Sequence, residues 1–72
     1  MRAILYTHPS CAACHELRSQ LVAARVDFEE VDVSRTPEVV PELLKLTRGR
    51  RLVPVLVDDA GIHVAPRGGT AF

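Results

Sequence analysis

Net charge is missing from this sequence: nine lysines and arginines balance nine aspartates and glutamates. The basic residues are scattered apart from Arg48, Arg50 and Arg51, so there is no electrostatic footprint of a nucleic-acid binder. No apolar run approaches the roughly 20 residues that span a bilayer. Internal repeats, linkers and low-complexity segments are absent too, so residues 1–72 read as a single domain. That length is near the lower limit for a hydrophobic core without a staple. No secretory signal is expected either, because the apolar start Ala-Ile-Leu-Tyr runs into His-Pro-Ser within ten residues. The expected compartment is therefore the cytoplasm, where thiols stay reduced and a permanent structural disulfide is not expected.

Cysteine is scarce as well, yet both copies lie in one stretch, Tyr6 to His15, written YTHPSCAACH. The same stretch holds two of the three histidines, His8 and His15. Cys11-Ala12-Ala13-Cys14 has dithiol redox spacing, Cys11 through His15 spells the c-type haem attachment pattern, and His8 completes a metal-ligand set. The haem pattern lacks its context, since it needs export and an axial partner, and the only methionine is Met1. A metal set drawn from one strand-to-helix corner is also unusual, because soft-metal sites gather ligands from two separated segments. Two cysteines closing so short a loop would constrain the unfolded chain little. Their value is therefore chemical.

The surrounding pattern predicts a β-α-β-α-β-β order in the α/β class. Ala3–Tyr6 is a short apolar run suited to a strand buried on both faces. From Cys11 to Arg25, Cys14, Leu17, Leu21 and Ala24 form a helical stripe, with Ser10 as the expected N-cap. Residues 26–33 read as an edge-like strand whose alternation is broken by Glu29 and Glu30. Thr36-Pro37-Glu38 is a helix start, predicted to run to about Arg48 and stop at Gly49, with Pro41 making its first turn irregular. Val40, Leu43, Leu44 and Thr47 would form its inner face. Leu52–Val57 is a third strand, Asp58–Gly61 a turn, and Ile62–Ala65 a fourth strand on which His63 faces solvent. Residues 66–72 are turn-rich and carry no helical pattern.

Taken together, ILYTHPSCAAC, VDFEEVDVSR, RRLVPVLV and RGG occur in the order in which the glutaredoxin family carries such segments, and they span residues 3 to 69. The chain resembles the short glutaredoxin-like redoxins, such as the hydrogen donors of ribonucleotide reductase and the UXX-star group. The resemblance implies a thioredoxin-like fold with a four-stranded mixed sheet and two helices. It also implies thiol–disulfide exchange, with Cys11 as nucleophile and Cys14, on the apolar stripe, as resolving thiol. Cys11 at a helix N-terminus has free amides and the dipole to favour its anion, an effect of roughly 0.3–2 kcal/mol, and a protonated His8 or His15 would add to it.

By the same resemblance, Val53-Pro54 carries a cis bond facing the active cysteine, with the Val53 backbone free to pair with substrate. Gly68, Gly69 and Thr70 line the substrate site. No tightly bound cofactor and no metal ligand are expected; glutathione is a candidate co-substrate. The electron donor is glutathione or a thioredoxin reductase, and the partner a disulfide-containing protein or a glutathione mixed disulfide. Three departures bear on the donor. His8 stands where glutathione users often carry lysine, Ala12-Ala13 replaces Pro-Tyr, and no acid follows Gly69. Arg50 and Arg51 remain as candidates for a glycyl carboxylate. The rival function is an iron–sulfur or other metal carrier built on the same cysteines. Glutaredoxins usually add a third helix after the glycine pair, and none is predicted here. A bare sheet face and a homodimer through it are the corresponding expectations.

Overall fold

A computed structural model describes residues 2–72. The strands are β1 (Ala3–Thr7), β2 (Phe28–Asp32), β3 (Leu52–Val53), β4 (Val55–Asp58), β5 (Gly61–Val64) and β6 (Thr70–Ala71), and the helices α1 (Ala12–Ala23) and α2 (Val40–Leu46). The main sheet is mixed and four-stranded, in the order β2-β1-β4-β5, while β3 and β6 pair separately. β2 runs parallel to β1 through the α1 crossover, and β4 runs antiparallel to β1. No helix among the described residues is long and apolar enough to cross a membrane.

β1 is buried on both faces, as its apolar run predicts. Ala3 and Leu5 pack with Leu21 and Leu56 on the α1 side. Tyr6 packs with Val33, Leu43, Val53, Val55 and both cysteines on the α2 side. Alternate side chains of a strand point to opposite faces, so one short strand serves two half-cores. β2 sits at the sheet edge, and its broken alternation has a use. Glu30 lies beside Leu5 in register, accepts a hydrogen bond from the Thr7 hydroxyl at 2.9 Å, and pairs with Arg18 of α1 at 3.2 Å.

Several local predictions are corrected. Cys11, not Ser10, caps α1: its sulfur accepts the Cys14 amide, while the Ser10 hydroxyl bonds His8 Nδ1 at 2.8 Å. α1 stops at Ala23, and Ala24 is an exposed C-cap rather than the end of the stripe. Thr36 makes no side-chain cap bond, and Pro37–Val39 forms a 3₁₀ turn before α2. Asp32 organises that corner instead, its carboxylate accepting the Ser34 amide at 2.8 Å. Pro41 falls in the first turn of α2, where a missing N–H costs nothing. α2 ends at Leu46, short of Arg48, and the buried Thr47 hydroxyl donates to the Arg50 carbonyl at 2.6 Å.

The predicted strand Leu52–Val57 is broken at Pro54, which has no N–H to give a ladder. The halves join different sheets, and residues 70–71 form a strand where only turns were expected, so beside the expected four-stranded sheet the described residues hold a separate β3–β6 pair. His63 is half-buried rather than solvent-facing, with Nε2 3.0 Å from Asp58 Oδ1 across the β4–β5 hairpin.

Candidate active site

The corner between β1 and α1 is a tight turn in which the Cys11 amide donates to the His8 carbonyl at 3.1 Å. It places the Cys11 sulfur over the first turn of α1, where the Cys14 amide reaches it at 3.1 Å. The orphan amides of a helix start are thereby turned toward sulfur. Both thiols are free and buried, Cys11 having 0% and Cys14 1% of its surface exposed.

The opposite wall comes from the second sheet. The Cys11 thiol points at the Val53 carbonyl oxygen, 3.6 Å away, and the Val53–Pro54 peptide is cis. Val53 stands directly opposite Thr70 in the β3–β6 ladder, and the Phe72 amide donates to the Arg51 carbonyl at 3.2 Å. Bonded and non-bonded pairs alternate in an antiparallel ladder, so Arg51–Phe72 and Val53–Thr70 are the bonded ones. The Val53 backbone groups therefore face Thr70.

Gly68 and Gly69 make this pairing fit, for two different reasons. Gly68 has φ +96° in open space, a backbone setting that disfavours side chains. Gly69 needs room: a Cβ there would run into the Val53 carbonyl oxygen and lie 2.9 Å from Ala65 Cβ.

The two thiols are driven apart electrostatically. Burial opposes ionisation of Cys11, but hydrogen bonds from the Cys14 thiol, the Thr70 hydroxyl and the amides of Cys14 and Ala13 outweigh it. The Cys11 pKa falls below the ordinary thiol value. Burial pushes the Cys14 thiol up to about 12, helped by its bond to Cys11 and by the Glu30 charge. One thiol is poised as an anion and its neighbour as the proton-bearing partner, the division that a nucleophile and a resolving thiol need.

The sequence profile of the glutaredoxins matches residues 3–62. The chain belongs to the glutaredoxin family. It is 36% identical over 55 residues to the Gene 56 protein of Mycobacterium phage L5, covering 76% of this chain and 52% of that relative. It is likewise 36% identical over 58 residues to the Gene 56 protein of Mycobacterium phage D29, covering 76% and 60%. The chain thus spans between half and three-fifths of the length of these relatives. No solved structure matches it.

In this glutaredoxin Cys11, Cys14, Val53, Pro54, Gly69 and Thr70 converge at one place, while Gly68 shapes the turn behind it. Neither histidine is among the groups that favour the Cys11 anion. His8 Nδ1 faces the Ser10 hydroxyl and amide, and His15 lies between the Pro9 carbonyl and Arg18. Arg51 stands beside the site but is tied down, its Nε donating to the Phe72 carbonyl at 2.8 Å and its guanidinium 4.8 Å above the Phe72 ring. Arg50 lines a separate groove with Leu46, Ile62 and Val64. Among the described residues, no group of three or more His, Cys, Asp or Glu side chains is placed to hold a metal ion.

Sequence reasoning missed Phe72, which packs against the core cluster containing both cysteines and stacks on His8 with ring centroids 6.5 Å apart. It sits in a stretch with no periodicity, and no local signal marks it.

Proposed function

We propose that this glutaredoxin is a thiol–disulfide oxidoreductase that reduces disulfides with electrons from a thiol reductant. The observation that carries this reading is the opposed tuning of two adjacent thiols, Cys11 lowered and Cys14 raised. The Cys11 thiolate attacks one sulfur of a substrate disulfide. A bond forms between Cys11 and that sulfur, the substrate S–S bond breaks, and the leaving sulfur departs with the electron pair and takes up a proton. Cys14 then loses its proton and attacks the Cys11 sulfur, releasing the second substrate thiol. The substrate has gained two electrons and two protons, and the enzyme holds a Cys11–Cys14 disulfide. Glutathione or a thioredoxin reductase returns the electrons in a reducing compartment such as the cytoplasm.

Substrates are disulfide-containing proteins or glutathione mixed disulfides, seated against Val53, Pro54 and the Gly69–Thr70 segment.

Reduction of a glutathione mixed disulfide and of a protein disulfide is to be compared, with glutathione or thioredoxin reductase as donor. Activity in one assay, lost in Cys11→Ser, supports the reading and assigns the donor. Inactivity in all of them, with both cysteine variants behaving like the parent, overturns it. Protein that purifies coloured without oxygen and is inactive points instead to a metal carrier using the same thiols.

A further inference from the structure

Thr70 is where the two sheets meet the chemistry, and resemblance had placed it only at the substrate site. It stands directly opposite Val53, whose carbonyl oxygen is the acceptor of the Cys11 thiol at 3.6 Å. The Gly69 backbone lies so close to that carbonyl that no side chain fits between them, which holds the start of β6 tightly against Val53. Thr70 is half-buried and Cys11 has no exposed surface, so solvent does not compete for the sulfur.

We infer that Thr70 is a catalytic residue whose hydroxyl donates a hydrogen bond to the Cys11 thiolate, holding it charged and aimed along the β3 edge. This deepens the oxidoreductase reading and rests on it. The chemistry follows from what each neighbour can do. The Val53 carbonyl can only accept, so it favours the protonated thiol. The Cys14 and Ala13 amides donate but are fixed at the helix start. A hydroxyl can rotate, accepting when Cys11 is a thiol and donating when it is an anion. Thr70 thus offsets the Val53 carbonyl at the moment of ionisation, and it supports the sulfur again when Cys11 is released as a thiolate, as a second reductant thiol attacks the reductant sulfur bonded to Cys11. Direction agrees: the Thr70 hydroxyl is among the groups that lower Cys11, second only to the Cys14 thiol among them.

The titratable and charged groups around Cys11 are few. His8 and Cys14 come from the β1–α1 corner, and Arg51 precedes β3, bound to Phe72. Nothing ionisable lies on β6 itself.

The test needs no substrate, so it is independent of whether the oxidoreductase reading holds. Cys11 ionisation is followed in the whole chain by thiolate absorbance and by alkylation rate between pH 4 and about 9, where a Cys14 thiol raised to about 12 stays silent. Thr70→Val keeps the shape and removes the hydroxyl. It should raise the midpoint by about one unit and slow alkylation below the midpoint roughly tenfold, the lower end for a hydrogen bond to a charged group. Thr70→Ser should restore both. A valine variant titrating like the parent overturns the inference, and so does a serine variant as shifted as the valine one, which would mean that packing alone is at work. Should Thr70→Val not fold, the side-chain carbon shifts of Thr70 in the parent protein must titrate with the Cys11 midpoint. Shifts that stay flat through that midpoint overturn the inference as well.

Discussion

The Cys11 sulfur lies 3.6 Å from the carbonyl oxygen of Val53, a residue 42 positions away in the chain. One end of that contact is set by a strand-to-helix turn, the other by a two-stranded ladder that includes the last residues described. Val53 and Thr70 act on the nucleophile across this gap, while the Cys14 and Ala13 amides act from the helix start.

Exchange chemistry should divide the cysteines cleanly. Cys14→Ser is expected to accumulate a mixed disulfide at Cys11 when mixed with a disulfide substrate, because the resolving step is gone. Cys11→Ser should form none. Intact-mass spectrometry under non-reducing conditions checks both, and a stable adduct on Cys14 in the Cys11→Ser protein would contradict the assignment.

Alkaline pH should weaken the fold through Cys14. Its folded pKa is raised to about 12, so the neutral thiol is favoured in the native state. That contribution is complete below the unfolded thiol pKa and is lost as pH rises from there toward about 12. Cys11 has the opposite sign: its contribution is present above the unfolded thiol pKa and is lost as pH falls through its lowered folded value. Thermal melts of parent and Cys14→Ser between pH 8 and about 11 should converge as pH rises. Parallel curves would show that Cys14 ionises no differently when folded.

The two glycines should fail differently. Gly69→Ala puts a methyl into the Val53 carbonyl and should part β3 from β6, raising the Cys11 midpoint while the main sheet survives. Gly68→Ala meets open space but strains φ +96°, so it should lower stability by about 1 kcal/mol and move the midpoint less. Circular dichroism and thiol titration on the two variants separate these effects.

Phe72 and Arg51 should act as a cover. Cys11 is fully buried with Phe72 in its cluster, and Arg51 holds that residue by hydrogen bond and ring contact. Phe72→Ala or Arg51→Ala should speed alkylation of Cys11 several-fold even at a pH where the thiol is fully ionised, since access rather than charge is then limiting. Rates unchanged at that pH would place the cover elsewhere.

Leu43 is the inward anchor of α2, with 0% of its surface exposed. Leu43→Ala should cost about 2–5 kcal/mol, a large part of the stability of a small domain, roughly 5–15 kcal/mol. Denaturant titration measures it, and a loss below 1 kcal/mol would mean that the space collapses.

Much of the site is local and so was readable directly. An apolar run, a turn and two cysteines on a helical stripe already imply a strand running into a helix whose first amides face Cys11, because hydrophobic period and end-capping act over a few residues. The edge character of residues 26–33 and the irregular start at Pro41 are local in the same way. Where local rules competed, neighbours decided. Ser10 has the better capping side chain, but its hydroxyl went to His8 and the cap fell to Cys11. Pro54 ended one strand and began another, since it cannot give an N–H to either sheet. The pairing of β3 with β6, which sets Thr70 opposite Val53, the Gly69 approach and Phe72 over the site belong to the tertiary structure alone. Their partners lie far apart in sequence, and no periodicity within residues 66–72 encodes which backbone groups they will meet.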